Sequence, residues 1–484
     1  MNRAVRRLSV ACLVLFFALI ANANILQVVD AKSLRNNPHN SRVLLRTYSR
    51  PRGQIVVGGA AVASSVVTQD RLKYQRTYPQ GPEYAPITGY YSLTEAATGI
   101  ERAENSVLSG EDDRLFVRRL QDLLSGRSSR GGSVVLTINR AAQDAAYTGL
   151  KGQAGAVVAL DPRSGKILAL ASSPSYDPSR LTSHDTAAVA TAWKALNADP
   201  ANPLVDRALS STYPPGSLFK VVTSAAALAG GDTPATVIPA PHQLTLPQTS
   251  NPLNNFGNEV CAKSGQMTLA DALRISCNTA FGALGLKLGP AALKTQADAF
   301  GLDDPSLTVP IPTATSVFPP NLLPNWQTAQ AAIGQFDVRI TPVQAAMIAA
   351  AVANKGTLMK PYLVDQILGP DLTVVSQTKP QVVRQSVSPQ VAAALTQMMI
   401  GVVANGTGTS AQISGVQVAG KTGTAQHGAN TTPHAWFIAF APAQNPVVAV
   451  AVLVENGGAL GSEATGGKVA APIAAQVIKA VLHR

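Results

Sequence analysis

Ser217 and Lys220 in the stretch STYPPGSLFK (211–220) stand three positions apart, where the chain turns from two prolines into a helical pattern. On a helix that spacing places both side chains on one face. A serine hydroxyl attacks a carbonyl effectively only when a base takes its proton. A lysine can be that base only while neutral, a form that burial and a second nearby cation both favour. The chemistry of such a pair is acyl transfer through an ester on Ser217. Taken alone, the pair also fits a helix-start serine with an outward lysine, so other parts of the chain must complete the site.

Two further elements follow in chain order, Ser276-Cys277-Asn278 and Lys421-Thr422-Gly423-Thr424. Ser276 suits a proton relay between Lys220 and a leaving nitrogen, and Asn278, which donates and accepts, can hold Lys220 and a substrate amide together. Lys421 is the candidate second cation. Alternate residues of a strand share a face, so Thr422 and Thr424 present hydroxyls to one ligand side while Lys421 points back towards Lys220 and Ser276. Gly423 is expected to leave room for substrate against the strand. The backbone N–H groups of Ser217 and Thr424 would form the oxyanion hole. A polar turn and a threonine-rich exposed strand are the plainer readings of these two elements, but they give Lys421 and Gly423 no shared reason. Cys277 has no neighbouring histidine base and is expected to point into the core. A bond between Cys261 and Cys277 stays open, because sequence separation does not fix a Cβ distance. His39, His184, His242, His427, His434 and His483 show no paired metal-ligand spacing. No nucleotide fingerprint occurs, so neither metal nor cofactor is expected.

The elements that must hold these groups are legible as patterns. YPPG stiffens the approach to Ser217, and LFKVVTSAAALA then reads as a helix stopped by Gly230 and Gly231. MTLADALRIS reads as a helix with a capping-box-like start at Thr268 and Asp271, followed by a helix in TAFGALGLKLG. TPVQAAMIAAAVANKG (341–356) is an apolar helix. GAVVALDP and KILALAS make a hairpin around DPRSG, and VAGKTGTAQ, HAWFIAFAP and PVVAVAVLVEN are strands before a last helix, APIAAQVIKAVLHR. Strands framed by helices predict an α+β domain with an antiparallel sheet. Before it, NILQVVDA, RVLLRTY, GQIVVGG and AAVASSVV read as strands, RLFVRRLQDLLSG (114–126) as a helix with Phe116, Leu120 and Leu124 on one face, and 133–150 as strand then helix. The resulting division is 1–26, 27–150 and 151–484, the middle segment a non-catalytic interaction or spacing module.

A chain of 484 residues allows two or three domains. Its 39 basic against 27 acidic residues are scattered rather than gathered into a stripe, with the densest groups at 3–7 and 127–130, which argues against nucleic acid. A basic exterior facing anionic lipid or wall polymer fits better. MNRAVRR before LSVACLVLFFALIA predicts a segment that leaves its basic end in the cytoplasm and exports the rest of the chain. A single retained membrane helix is the preferred reading, and Ala21-Asn22-Ala23 keeps a cleavable signal peptide open.

Together the S-x-x-K, S-x-N and K-T-G elements match the set found in serine enzymes that react with penicillin. With PRGQI (51–55), GAVVALDPRSGKILALASSPSYDP (155–178), DRALSSTYPPGSLFK (206–220), IGQFDVRITPVQAAMIAAAVANKG (333–356), VAGKTGTAQ (418–426) and HAWFIAFAP (434–442), the chain resembles the class B penicillin-binding proteins, in particular their short actinobacterial form. One departure is VVGG after PRGQI, where the family shows a D-R-N-G-like turn; it puts a local turn or domain contact in doubt. The resemblance implies a penicillin-binding and serine β-lactamase-like transpeptidase domain, its central antiparallel sheet flanked by helices, behind a mixed N-terminal module and one transmembrane helix. It implies a D,D-transpeptidase in which Ser217 attacks the penultimate D-Ala carbonyl of a peptidoglycan stem peptide, Lys220, Ser276, Asn278 and Lys421 assist, and Thr422, Gly423 and Thr424 bind substrate. It also implies acylation by β-lactam antibiotics, a membrane glycosyltransferase of the shape, elongation, division and sporulation family as partner, and work in septal wall synthesis. A D,D-carboxypeptidase would use the same motifs with water as acceptor, though the long N-terminal module argues against it. A β-lactamase would need an added deacylation base, which is not found, and a non-catalytic division scaffold would not need five intact polar groups.

Overall fold

The computed structural model describes residues 3–29, 48–116, 130–320, 325–426, 428 and 431–483. In chain order it contains helix α1 (Arg3–Asn24), strands β1 (Ile55–Val57), β2 (Ala60–Val67), β3 (Tyr74–Thr77) and β4 (Ser133–Leu136), and helix α2 (Arg140–Gly149). Strands β5 (Gly155–Leu160) and β6 (Ile167–Ser173) come next, then helices α3 (Lys220–Ala229), α4 (Leu269–Arg274), α5 (Asn278–Ala299) and α6 (Pro342–Ala353). Strands β7 (Val364–Leu368) and β8 (Val374–Gln377) precede helix α7 (Pro389–Asn405), and β9 (Ala419–Ala425), β10 (His434–Ala441), β11 (Val448–Val454) and α8 (Ala471–Val481) complete the described chain.

The sheet that carries the site is five-stranded and antiparallel, in the order β9-β10-β11-β5-β6. Every residue of β10 and β11 is buried, which is why HAWFIAFA and VAVAVLV read as unbroken apolar runs instead of alternating. Their side chains still alternate between two cores. Trp436, Ile438 and Phe440 join Val158 and Leu160 on one face, whereas Phe437 and Ala439 join Val157 and Ala159 on the other. Helix α6, buried from Pro342 to Val352, covers the first face, and α2 with α8 covers the second. Strand β9 is left at the edge, beside α7 and the Ser217 turn.

The second sheet runs β8-β7-β4-β1-β2-β3. Its β7 and β8 come from residues 364–377 and pair onto β4 of the preceding segment, while α2 packs on β6 and α8. The segments 27–150 and 151–484 therefore share a sheet and a helix layer. Three expectations change. The VVGG departure weakens no turn: Gly58 and Gly59 take φ of +54° and +81° and close the β1–β2 hairpin, the geometry a two-residue primed turn requires. Residues 24–29, read as the start of a strand, are helical, because nothing in ANANILQVV breaks the apolar run of α1. Thr268 caps α4 by accepting from Asp271 N–H at 3.1 Å, but Asp271 takes the Thr268 hydroxyl proton at 2.8 Å, so the reciprocal half of the box is replaced by a side-chain bond. Most of RVLLRTY, the positions Leu120 and Leu124, the basic group at 127–129, His39 and His427 lie outside the described residues.

Candidate active site

The turn bearing Ser217 is fixed from several sides by its neighbours. Tyr213 exchanges backbone bonds of 2.9 Å with Ile340, and its hydroxyl donates to Glu455 at 2.6 Å, where Arg207 also binds at 3.0 Å. The indole N–H of Trp436 donates to the Pro214 carbonyl at 3.1 Å, and Gly216 N–H donates to Gly334 O at 2.9 Å. Gly216 itself has φ of +55°, and a Cβ there would lie 2.4 Å from Thr424 O. The turn thus lies directly against β9, with Ser217 half-buried and Lys220 opening α3.

Ser276 occupies the left-handed position after α4, with φ of +63°. Ser276 N–H reaches Leu273 O at 3.2 Å and Cys277 N–H reaches Ala272 O at 3.0 Å. These are the two bonds of a Schellman ending, whose left-handed residue is usually glycine. A serine there costs about 1 kcal/mol, which the hydrogen bonds of its hydroxyl and carbonyl to the two lysines offset. Cys277, also buried, is bonded to Cys261, with Cα atoms 5.9 Å apart; the bond turns the sulfur away from the site. Asn278 starts α5, and Asn255 takes over its cap by accepting from the N–H groups of Asn278 and Thr279 at 2.9 and 3.0 Å.

Both lysines are fully buried, in different proton inventories. Lys220 Nζ donates to Ser276 O and Asn278 Oδ1, each at 2.7 Å, with Ser276 Oγ at 3.3 Å. The first two partners only accept and can take both N–H bonds of a neutral amine, while Ser276 Oγ, a hydroxyl that can give or take a proton, faces the third position. Burial, and then the charge of Lys421, hold Lys220 well below the ordinary lysine range. Lys421 Nζ meets three acceptors, Ser276 Oγ at 2.8 Å, Thr422 O at 2.8 Å and Thr422 Oγ1 at 3.4 Å, which match the three N–H bonds of an ammonium. Burial pushes it down to about 7. Because Ser276 Oγ accepts from Lys421, its own proton is free to turn towards Lys220 or a leaving group.

On β9 Lys421 reaches across to Ser276, and the Thr422 hydroxyl lies between Lys421 Nζ and the hydroxyl of Thr407, 2.6 Å from the latter. Thr424 is half-buried beside the Ser217 turn. Gly423 departs from expectation. A Cβ there would sit 2.8 Å from Trp436 Cβ and 3.0 Å from Pro215 O, so the missing side chain admits the serine-bearing turn instead of a ligand. Ser217, Lys220, Ser276, Asn278, Lys421, Thr422 and Thr424 are thus gathered where the α3 and α5 starts meet the sheet edge.

The comparisons with known proteins fit this geometry. Residues 155–479 match the family model described as the penicillin binding protein transpeptidase domain, and residues 52–134 match the penicillin binding protein A dimerisation domain. The chain belongs to the penicillin-binding protein transpeptidase family. It is 51% identical to the peptidoglycan D,D-transpeptidase PbpA of Mycolicibacterium smegmatis over 100% of this chain and 99% of that one. It is 50% identical, with the same coverage, to PbpA of Mycobacterium tuberculosis. Among solved structures, the ceftriaxone acyl-enzyme of M. tuberculosis penicillin-binding protein A aligns with a TM-score of 0.88 at 49% identity, covering 91% of this chain and 100% of that one. The penicillin G acyl-enzyme of the same protein aligns at 0.86, covering 90% and 100%.

Several groups around this site escape a reading of motifs. Asn255 and Asn254, which accept from the Asn278 backbone and side chain, lie in a loop whose sequence carries no signal for a cap supplied from a distance. Glu455 and Thr407 lie after a strand and a helix respectively, and only the fold brings them to Tyr213 and Thr422. The strained Ser276 gives a direct check. Ser276→Gly should relieve the left-handed backbone and raise the melting temperature, while penicillin acylation falls by about 100-fold as the hydroxyl between the two lysines is lost. A variant that acylates at the wild-type rate would remove Ser276 from the proton path.

Proposed function

We propose that this protein is a membrane-anchored peptidoglycan D,D-transpeptidase working through an acyl-enzyme on Ser217. The observation that carries this reading is the fully buried Lys220 amine, three residues from Ser217 and held on Ser276 O and Asn278 Oδ1 beside the Ser276 hydroxyl, where a neutral amine can take the Ser217 proton. Ser217 Oγ bonds to the carbonyl carbon of the penultimate D-Ala as its proton passes to Lys220. The C–N bond then breaks, and the proton travels through Ser276 to the departing D-Ala amine. An amino group of a neighbouring stem peptide next attacks the ester, making the cross-link and returning the proton to Ser217. The N–H groups of Ser217 and Thr424 hold the oxyanion, and Lys421 with the Thr422 and Thr424 hydroxyls reads the terminal carboxylate. β-Lactams, which carry a strained amide beside a carboxylate, acylate the same serine.

Residues 27–150 contain none of the gathered groups and serve as the non-catalytic interaction and spacing module, with 151–484 as the transpeptidase domain. Glycan polymerisation falls to a membrane glycosyltransferase of the shape, elongation, division and sporulation family, in septal wall synthesis. Residues Arg3–Gln27 form one helix long and apolar enough to cross a membrane. The basic residues Arg3, Arg6 and Arg7 before the span support a start in the cytoplasm and a catalytic domain outside. Intact-mass measurement of membrane-extracted protein should find this segment retained; a mature chain starting at Asn24 would refute the anchor.

The reaction is tested by peptide mapping after fluorescent penicillin labelling, together with mass spectrometry of products from stem peptides and an acceptor amine. The adduct should lie on Ser217 and vanish in Ser217→Ala, and a cross-linked dimer should form with release of D-Ala. An adduct on Ser276 would overturn the nucleophile. Release of D-Ala with water as the sole acceptor would overturn transpeptidation in favour of a carboxypeptidase.

A further inference from the structure

We propose that Thr407 is a further specificity-determining residue, the outermost hydroxyl of a donor chain that runs Lys421, Thr422, Thr407 and ends on the carboxylate of the substrate or β-lactam. The inference rests on the carboxylate reading above and revises one contact in it: Thr422 acts on the carboxylate through Thr407 instead of touching it. Thr422 is only 6% exposed, whereas Thr407 is exposed. Their hydroxyl oxygens are 2.6 Å apart, and Lys421 Nζ lies 3.4 Å behind Thr422 Oγ1.

The proton count gives the direction. An ammonium only donates, and a carboxylate only accepts. Lys421 therefore gives to Thr422 Oγ1, Thr422 gives to Thr407, and the one O–H left over is that of Thr407, on the open side. Each bond polarises the next in the same sense, away from the buried cation. The reverse order would direct the spare proton from a residue almost sealed from solvent.

Thr407 is also held in place. Its N–H donates to Arg274 O at 3.3 Å, on the helix that ends at Ser276, and Gly408 N–H donates to Val402 O at 2.9 Å. A Cβ on Gly406 would lie 2.4 Å from Arg274 O, and one on Gly467 would lie 2.2 Å from Thr407 O. The segment 406–408 is thus wedged between the Ser276 wall and the β9 wall, so its position reports on both.

The test is the second-order acylation rate of full-length protein in detergent by penicillin G and by its methyl ester, read by competition with fluorescent penicillin. Wild type should prefer the free acid. Thr407→Val, which keeps the shape and removes the hydroxyl, should lower the acid-to-ester ratio by about tenfold. Thr407→Ser should restore the ratio, and Thr422→Val added to Thr407→Val should cost little more, since the two act in series. Melting temperatures check folding, and the ester rate of a folded Thr407→Val should stay near wild type. A ratio unchanged in Thr407→Val but lost in Thr422→Val or Thr424→Val would overturn the role of Thr407 and leave the carboxylate reading standing. Equal losses on acid and ester, unrescued by serine, would show a purely structural role and overturn the inference. A wild type without preference for the acid would overturn the carboxylate reading itself.

Discussion

Replacing Lys220 by arginine should lower the rate of Ser217 acylation by about 1,000-fold or more, although the positive charge is kept. A positioned general base contributes on the order of 10²–10⁴, and an arginine cannot serve because it does not lose its proton in proteins. Since the larger side chain must enter a fully buried site, Lys220→Met is the companion variant, similar in length and uncharged. Both should fail in penicillin labelling, and Lys220→Met should stay folded. The pH dependence comes from the two lysines. In the proposed mechanism acylation needs neutral Lys220, so the wild-type rate should rise with pH through the lowered Lys220 titration. It also needs the Lys421 ammonium, so the rate should fall again as Lys421 loses its proton near 7. The stability sign is opposite to that of a paired lysine. Both folded values lie below the unfolded 10.5, so the unfolded chain binds more protons and stability rises with pH from the folded value up to about 10.5. Lys220→Met removes one of these terms and should flatten that rise. Acylation by Lys220→Arg within tenfold of wild type would end the case for this base.

The spacing of Ser217 and Lys220 is legible in the sequence because one helical turn holds both, whereas Lys421 meets Ser276 across 145 residues and is brought there by the fold. The buried strands β10 and β11 were equally plain, because a strand covered on both faces needs an unbroken apolar run. What pattern could not reach were contacts closed by tertiary structure. Asn255 caps a helix that starts 23 residues later, and Glu455 anchors a tyrosine 242 residues before it. Gly423 shows a subtler limit. A strand glycine signals close approach, but the approaching body, ligand or protein, is decided by what the fold brings beside it, here Trp436 and Pro215. The shared sheet of β4 and β7 likewise has no counterpart in the composition shift at residue 155, because strand pairing is a long-range choice.

Gly216→Ala should lower acylation by about 100-fold without moving the pH profile. Gly216 has φ of +55°, where an L side chain costs about 1 kcal/mol, and its added Cβ would stand 2.4 Å from the Thr424 carbonyl oxygen. Both sides of that clash are backbone, so no rotamer relieves it. Either the Ser217 turn or the edge strand must withdraw, and the proposed oxyanion donors, Ser217 N–H and Thr424 N–H, lie on those two pieces. Misplacing one such donor costs on the order of 10²–10³ in rate. Lys220 and Lys421 sit on the two pieces, but each is anchored to Ser276, which belongs to neither, so both lysines keep their partners while the backbones of Gly216 and Thr424 part. The variant should therefore melt at a lower temperature and acylate slowly, with the rising and falling limbs where wild type has them. Lys220→Arg, by contrast, should remove the rising limb altogether. If Gly216→Ala acylates within threefold of wild type, the turn and β9 do not share the oxyanion. If it shifts the rising limb, the glycine acts through the lysine, and spacing between the two walls is not what limits the reaction.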